Sequence, residues 1–586
     1  MKPLLSTIIL AAAALLALSG CSDEPGAAPD NTKPVGQQVF MDIDLRSAPD
    51  SRAYEFADGS EDEHRVYCAR FYFFDEDGLY YGQASKWSPS GDTEPDNVEH
   101  MGKSTVVLDN VGSNKYPTYL LTVLNAPDFA PKTTLEETSK TLMDLSSTIE
   151  GEKYYVMSTS SFRGTPKADP QHYGDAKYYY ATKLHTNDFK LIATDATTNP
   201  VVVYVERVAA KVELKMNARA NDDGVFPLHV SVMGNPNESI GDDVASTQVG
   251  VKILGWDFVD AKKKPYLSKQ LDDSWTAGTD VPFAGWTAPE RYRSFWAKTV
   301  DYGVEGTAGL NKKTYDMLGR TMEAVNTVYT YEYTNERAKI TKTTVAGGTN
   351  VIVGRTPHIL VKALLTDHSG NPLDVVRYNG YLFTFDRFKR YILSTVDSGS
   401  GALNVYIQNR AGEYEQLDPT AHYGLVLASQ AAGLHESLKK VVDDYKLAGT
   451  GKVMVLPKFS ESTQYYTKNA AGKMVTITVA QAKDILYPLL AAAQTQKAEA
   501  YNKGIMYYAI TIDHNPDFED SQDGKYGIVR NHWYEITINN VVNIGHGIFD
   551  GHHETVEPDE PEDDKFFLAA RIKVLSWRIV DKVVDL

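Results

Sequence analysis

A chain of 586 residues is too long for a single hydrophobic core, so two or more domains are expected. Its net charge of −18 argues against a nucleic-acid-binding role, which needs a basic surface; its two cysteines, Cys21 and Cys68, can pair in principle but make no disulfide framework and have no metal-type spacing. The apolar content of 42% is that of a globular protein, and 36 tyrosines against 20 phenylalanines favour sheets with one face in water.

In chain order, Lys2 and the apolar stretch 8–18 read as a targeting segment, too short to span a bilayer. Leu18, Ser19, Gly20 and Cys21 follow and resemble a bacterial lipobox, which makes Cys21 the expected lipidation site. Asp23 and Glu24, just beyond it, are similar to the surface-export signal of Bacteroidota lipoproteins. No later segment is long and apolar enough to cross a membrane, so attachment is expected through lipid on the precursor alone. Residues 22–36 are polar and read as a tether.

Residues 37–46 alternate cleanly, with Val39, Met41, Ile43 and Leu45 on one face and Asp42, Asp44 and Arg46 on the other, as a half-buried strand does. A polar loop with Pro49 and Arg52 follows. Short strand-like runs then recur at 66–74, 104–108, 119–124, 154–158 and 178–184. Cys68 sits within the first of these and reads as a small buried core residue. One helix is expected near 135–145, with Thr134 and Glu137 spaced as a capping box. Many short strands with turn-rich joints suggest a β-sandwich.

The run 201–215 reads as a long strand pair or a strand crossing between domains, and a domain boundary is expected at about residue 205. Beyond it, strand-like runs stand at 251–258, 358–365, 380–388, 403–407, 504–513 and 532–541. Helical composition is found at 433–445 and 480–500, with Pro488 expected to kink or end the second. The chain ends on an acidic spacer with Pro558 and Pro561, followed by the apolar run 566–586. In that run Leu568, Ala570, Ile572 and Val574 share one face, and Leu575, Trp577 and Ile579 continue on the other. Two consecutive strand segments joined by a bulge or bend account for the slip. A long terminal strand on a leash is an aggregation hazard for a monomer and makes sense as a filler for a neighbour's sheet.

The two ends then suggest a mechanism. The first strand, through Val39, Met41, Ile43 and Leu45, closes its own sheet until the following loop is cut. Of the nearby arginines 46, 52, 65 and 70, only Arg52 lies in a polar loop that a protease can thread, leaving Ala53 as the new terminus. The vacated groove is filled by the C-terminal run of another copy, with Ile572, Val574, Leu575, Trp577 and Ile579 as anchors. Such head-to-tail contacts do not close and give a filament.

Catalytic and metal constellations are weak. His546, His552, His553 and Glu554 lie close in sequence but lack HExxH spacing. The acidic stretches 75–78 and 513–523 lack the ligand order of an EF-hand and read as solvated turns. There is no G-x-S-x-G elbow, P-loop or dinucleotide fingerprint. No cofactor, metal or enzymatic activity is expected.

Several stretches together resemble the Bacteroidales type V fimbrillins, in particular the major subunit of the short (minor) fimbriae. They are the lipobox at Cys21, the Ser51-Arg52-Ala53 site, residues 205–212, Ile253-Leu254-Gly255-Trp256 with Tyr266-Leu267-Ser268-Lys269, residues 527–534, and Val574-Leu575-Ser576-Trp577 before the end at Leu586. The resemblance implies a mainly β protein of two transthyretin-like Greek-key sandwiches with a few helical insertions and a C-terminal donor strand. It implies a signal peptide and lipobox over 1–21, a tether and removable strand over 22–52, sandwiches over 53–204 and 205–555, and a linker with donor strand over 556–586. It further implies export as an outer-membrane lipoprotein, maturation by a protease after Arg52, polymerisation at the cell surface, and a role in adhesion and biofilm. The implied partners are other copies of the chain, accessory, tip and anchor subunits, and host or bacterial surface receptors. A second reading is a glycan-binding surface lipoprotein of a polysaccharide-uptake system, with Trp275, Trp286 and Trp296 as stacking platforms. A β-sandwich hydrolase is a third.

Overall fold

The computed structural model describes residues 37–46, 60–84, 102–111, 115–161, 177–228, 249–261, 263–270, 298–300, 310–321, 327–330, 341–345, 348–352, 357–367, 369–397, 401–514, 526–556, 568–575 and 580–582. The chain is mainly β and divides into two compact units. One holds the first strand, Asp58–Val208 and Tyr266–Phe295; the other holds Ala209–Pro265 and Trp296–Leu586.

In the first unit, β1 (Gln37–Arg46), β2 (Ala69–Phe74), β3 (Tyr80–Ala84), β4 (Gly102–Val111), β5 (Tyr119–Leu124), β6 (Met157–Thr159) and β7 (Val201–Arg207) pair in the order β3-β2-β5-β6-β7-β1-β4. Strand β7 serves two neighbours in turn: its first half lies parallel to β1 and its second half antiparallel to β6. The strand pair β2 and β5 is buried on both faces. Phe71, Phe73, Leu120 and Leu124 enter one core, and Tyr72, Phe74, Leu121 and Val123 a second. That double burial explains why these strands are near-continuous apolar runs, interrupted by Arg70 and Thr122, and not alternating ones.

The helix expected after Thr134 is shorter than its pattern, Leu135–Ser139, with the Glu137 N–H donated to Thr134 Oγ1 at 3.2 Å. Residues 266–270 then return to this unit from well beyond its main sequence range. Leu267 is buried in the second core, its N–H is donated to the Thr141 carbonyl at 2.7 Å, and its own carbonyl accepts from Ser158 Oγ at 2.7 Å. Lys269 closes the return through a fully buried ion pair with Glu206 at 3.0 Å. A single boundary near residue 205 does not describe this division, because the pairing of a loop with a distant unit leaves no local pattern.

In the second unit, β8 (Ala210–Met216), β9 (Phe226–Pro227), β10 (Val249–Val259), β11 (Thr327–Thr330) and β12 (His358–Asp367) precede a long excursion of the chain. After it come β13 (Ile505–Thr511), β14 (Trp533–Val541), β15 (His546–Gly547), β16 (Leu568–Leu575) and β17 (Val580–Lys582). Two five-stranded sheets result, ordered β11-β8-β14-β16-β17 and β9-β10-β12-β13-β15. Val212 and Leu214 of the first and Trp256, Val361 and Tyr508 of the second share one core, so the unit is a sandwich.

The excursion, residues 371–504, leaves between two strands that pair directly with each other, β12 and β13. It builds its own core from Phe388, Ile392, Leu438, Val455, Leu486 and Leu490. Residues 380–388, expected as one strand, are a short strand Tyr381–Thr384 running into the helix Phe385–Val396, whose Phe388 and Ile392 supply that core. The run 480–500 is a helix Val479–Ala493 that keeps Pro488 inside it, followed by a strand Ala498–Tyr501. A true capping box starts the helix, with Thr478 and Gln481 each accepting the other's backbone N–H.

One turn recurs through both units and the excursion. At Asp75, Asn221, Asp367, Asn409 and Asn469, the side-chain Oδ1 accepts the N–H groups two and four residues on, at 2.8–3.0 Å. Glycine stands three residues on in every case, at φ between +73° and +84°, where a side chain is strained. The acidic stretch 75–78 is thus a hairpin turn whose first carboxylate is occupied by backbone.

Candidate strand-exchange elements

Strand β1 is an interior strand. It lies antiparallel to β4, with Met41 opposite Val106 and Ile43 opposite Ser104, and parallel to β7, with Ile43 beside Val201 and Leu45 beside Val203. Met41 and Ile43 are both 0% exposed and pack with Val106, Leu108, Val201 and Val203. Burial of two such side chains contributes about 1.5–3 kcal/mol each. Val39 and Leu45 occupy the same alternating register on the backbone. Strands β4 and β7 both pair with β1 and not with each other. Loss of β1 therefore leaves a slot with unpaired backbone on both walls and an apolar floor. The strand-like 104–108 and the valine-rich 201–205 signal the walls in the sequence, but only the register shows that they flank β1.

The C-terminal run forms two strand segments, but the second pairs back on the first and does not continue it past a bulge or bend. β16 lies antiparallel on β14, with Val574 opposite Tyr534 and Ile572 opposite Ile536, and β17 folds back on β16, with Val574 opposite Val580. The phase slip seen in the sequence thus corresponds to a reversal of direction between Leu575 and Val580. As a hairpin, the run occupies the edge of its own sheet. Ile572, Val574 and Leu575 lie in β16; Trp577 and Ile579 lie outside the described residues, as do Cys21, Arg52 and Ala53 and the tryptophans 275, 286 and 296.

The motif at 527–534 is an architectural corner. Asn531, at φ +60°, donates its N–H to the Ala209 carbonyl at 2.7 Å. The Lys211 N–H is donated to the His532 carbonyl at 2.9 Å, which starts the parallel β8–β14 ladder. Tyr534 Oη accepts the Val529 N–H at 2.9 Å and lies 2.9 Å from His514 Nδ1. The corner fixes β14, the strand on which the C-terminal hairpin rests.

Gly255 of the second motif sits at a bulge in β10. A Cβ there would lie 2.3 Å from the Arg320 carbonyl oxygen, which accepts the Trp256 N–H at 2.8 Å. Gly255→Ala is expected to destabilise the second unit by about 1–3 kcal/mol, read as a lowered urea midpoint at unchanged m-value. An unchanged midpoint would mean that the Arg320 segment moves away freely.

A buried ion cluster stands at the stem of the excursion. Glu499 Oε2 accepts from Arg377 Nη2 at 2.6 Å, and Oε1 from Lys452 Nζ at 2.9 Å. His546 Nδ1 lies 3.6 Å from the same carboxylate. Burial pushes the Glu499 carboxyl up, but Lys452, Arg377 and His546 outweigh it and hold the group well below the ordinary carboxylate value. The histidines of 546–553 therefore diverge. His546 turns to Glu499, His552 to Asp316, and His553 to Asp550 at 2.8 Å. Among the described residues no group of three His, Cys, Asp or Glu is placed to hold a metal, and no helix is long and apolar enough to cross a membrane.

Residues 499–582 match the family model described as "Major fimbrial subunit protein type IV, Fimbrillin, C-terminal". None of the curated proteins compared with the chain matches it. Solved structures similar to the chain include a fimbrilin from Porphyromonas gingivalis W83, at 12% identity and a TM-score of 0.34, covering 94% of this chain and 99% of that one. A cell adhesion protein from Bacteroides eggerthii has 11% identity and a TM-score of 0.32 over 94% of this chain and 100% of its own. The tip fimbrial protein Mfa3 from P. gingivalis has 10% identity and a TM-score of 0.29 over 92% and 100%. The family match runs from the Glu499 cluster through the 527–534 corner to β17. Residues 499–582 are thus similar to the C-terminal part of the fimbrillins.

Proposed function

We propose that the chain is the polymerising shaft subunit of a surface fimbria, exported as a lipoprotein through Cys21, matured after Arg52, and joined head to tail by strand exchange. The observation that carries this reading is the position of β1 between two strands that do not pair with each other. In the intact chain β1 is tethered and fills the slot at a high effective concentration. After a cut at Arg52 it is a free peptide, and that advantage is lost. The C-terminal run of another copy then takes the slot, parallel to β7 and antiparallel to β4. Its release from its own subunit costs one ladder, because β16 has only β14 beside it apart from its own return strand. The exchange replaces one apolar strand by another and is driven by the loss of the tether. Adhesion and biofilm follow from a filament at the cell surface, and the role is structural, not catalytic.

The cut is tested with Arg52→Ala. N-terminal sequencing of surface protein is expected to find Ala53 first in the parent and an unprocessed terminus in the variant, with no filaments. Unchanged processing in the variant would place the cut elsewhere, at Arg65 next.

A further inference from the structure

The excursion between β12 and β13 is not needed to join those strands, which pair directly, and it carries a feature that strand exchange does not use. Its strands Tyr406–Gln408, Tyr414–Gln416, Tyr465–Lys468 and Met474–Ile477 form one antiparallel sheet. The register sets Tyr406 beside Gln416 and Tyr466, and Gln408 beside Tyr414. With side chains alternating along each strand, Tyr406, Tyr414, Tyr466, Gln408, Gln416 and Lys468 fall on one face. The opposite face carries Tyr465 and Ile477 into the excursion's core.

We propose that this tyrosine face binds a neutral oligosaccharide. Tyr414 is 43% exposed and stands edge-on to Tyr466, ring centroids 4.9 Å apart. Such rings offer apolar surface to the C–H face of a pyranose while their hydroxyls stay wet. Gln408 and Gln416 are exposed at the margin: Gln408 accepts from Tyr466 Oη at 3.3 Å and donates to the Gly412 carbonyl at 3.2 Å, and Gln416 donates to the Leu403 carbonyl at 3.4 Å, long solvent-facing bonds that the vicinal hydroxyls of a sugar can replace. The charge of the face selects the ligand. Lys468 is its one charged side chain, in a chain of net charge −18. A polyanion finds a single cation there, a polycation finds no carboxylate, and a neutral chain pays no charge desolvation.

The platform is also held rigid before any ligand arrives. Asn409 and Asn469 lock the two hairpin turns. Asn404 ties the strands together, donating Nδ2–H to the Lys468 carbonyl at 2.9 Å and accepting the Lys468 N–H at 3.0 Å. A preformed surface loses less freedom on binding.

Calorimetric titration of the full chain with cellohexaose, xylohexaose, mannohexaose and a heparin hexasaccharide tests the proposal. At least one neutral hexasaccharide is expected to bind saturably. Tyr414→Thr with Tyr466→Thr, which keeps strand propensity, should weaken it about 10-fold or more, and Tyr414→Phe should leave it within about 3-fold. Binding by none of the neutral probes, a preference for heparin, or full binding by a folded double Thr variant would overturn it. Filament assembly by the same variants is expected to be normal, which separates this face from the strand-exchange reading.

Discussion

A chain that ends before residue 566 is expected to fold, to accept the cut at Arg52, and to form no SDS-resistant ladder. The expectation of folding rests on the core of the second unit. Tyr534, Ile536 and Ile538 of β14 are fully buried with residues of the other sheet. β16 and β17 lie at the edge of their sheet, so their loss bares one side of β14 and leaves the sandwich closed. The expectation of no polymer rests on the slot, because a subunit without residues 566–586 has nothing to place beside β7 and β4 of the next. The effect is all or none, read by denaturing gel after trace protease alongside the thermal transition. Ladders from the shortened chain would mean that another segment fills the slot.

The second large effect is expected at Glu499. Replacing it by Gln removes the counter-charge of Lys452, which is buried, and weakens the hold on Arg377 and His546. Removal of one partner from a buried charge pair costs about 3–5 kcal/mol. For a unit this large the transition moves by roughly 1.3 °C per kcal/mol, so that of the second unit should fall by about 4–7 °C. The sign of the pH dependence follows from the direction of the shift. The folded-state carboxyl lies below its unfolded value, so the unfolded state binds the proton more readily. The stabilisation is present above the unfolded value, about 4.3, and is lost as pH falls through the lower folded value. Between neutral pH and that region the variant should therefore sit at a constant disadvantage, and the two stability curves should converge in acid. Parallel curves down to low pH, or a transition unchanged at pH 7, would mean that the carboxylate is not the organising charge of the stem.

The legible parts of the fold were those in which local pattern and tertiary environment agree. Alternation at 37–46 marks a strand with one buried face, and Met41 and Ile43 are the buried pair. The unbroken run at 69–74 marks a strand covered on both faces. Thr134 and Glu137 mark the start of a helix but not its end, because Lys140 leaves the helix where the loop turns to meet Leu267. What stayed hidden depends on partners far away in sequence. β12 and β13 are neighbours across the whole excursion, and no residue in either announces the other. Residues 380–388 carry aromatic strand-formers that the helix uses to fill a separate core. The terminal hairpin is the sharpest case, since a change of face along an apolar run is equally consistent with a bulge and with a reversal. The antiparallel pairing of β17 with β16 decides between them. The candidate exchange elements were therefore legible as strands, whereas the slot and the parked position of the C-terminal run required the register.

The most direct measurement is limited proteolysis of the soluble chain with trace trypsin, followed by N-terminal sequencing and negative-stain microscopy of the same sample. Strand exchange predicts a new terminus at Ala53 together with filaments and SDS-resistant ladders, absent from the untreated chain. A stable monomer that has lost residues 37–46 would contradict it.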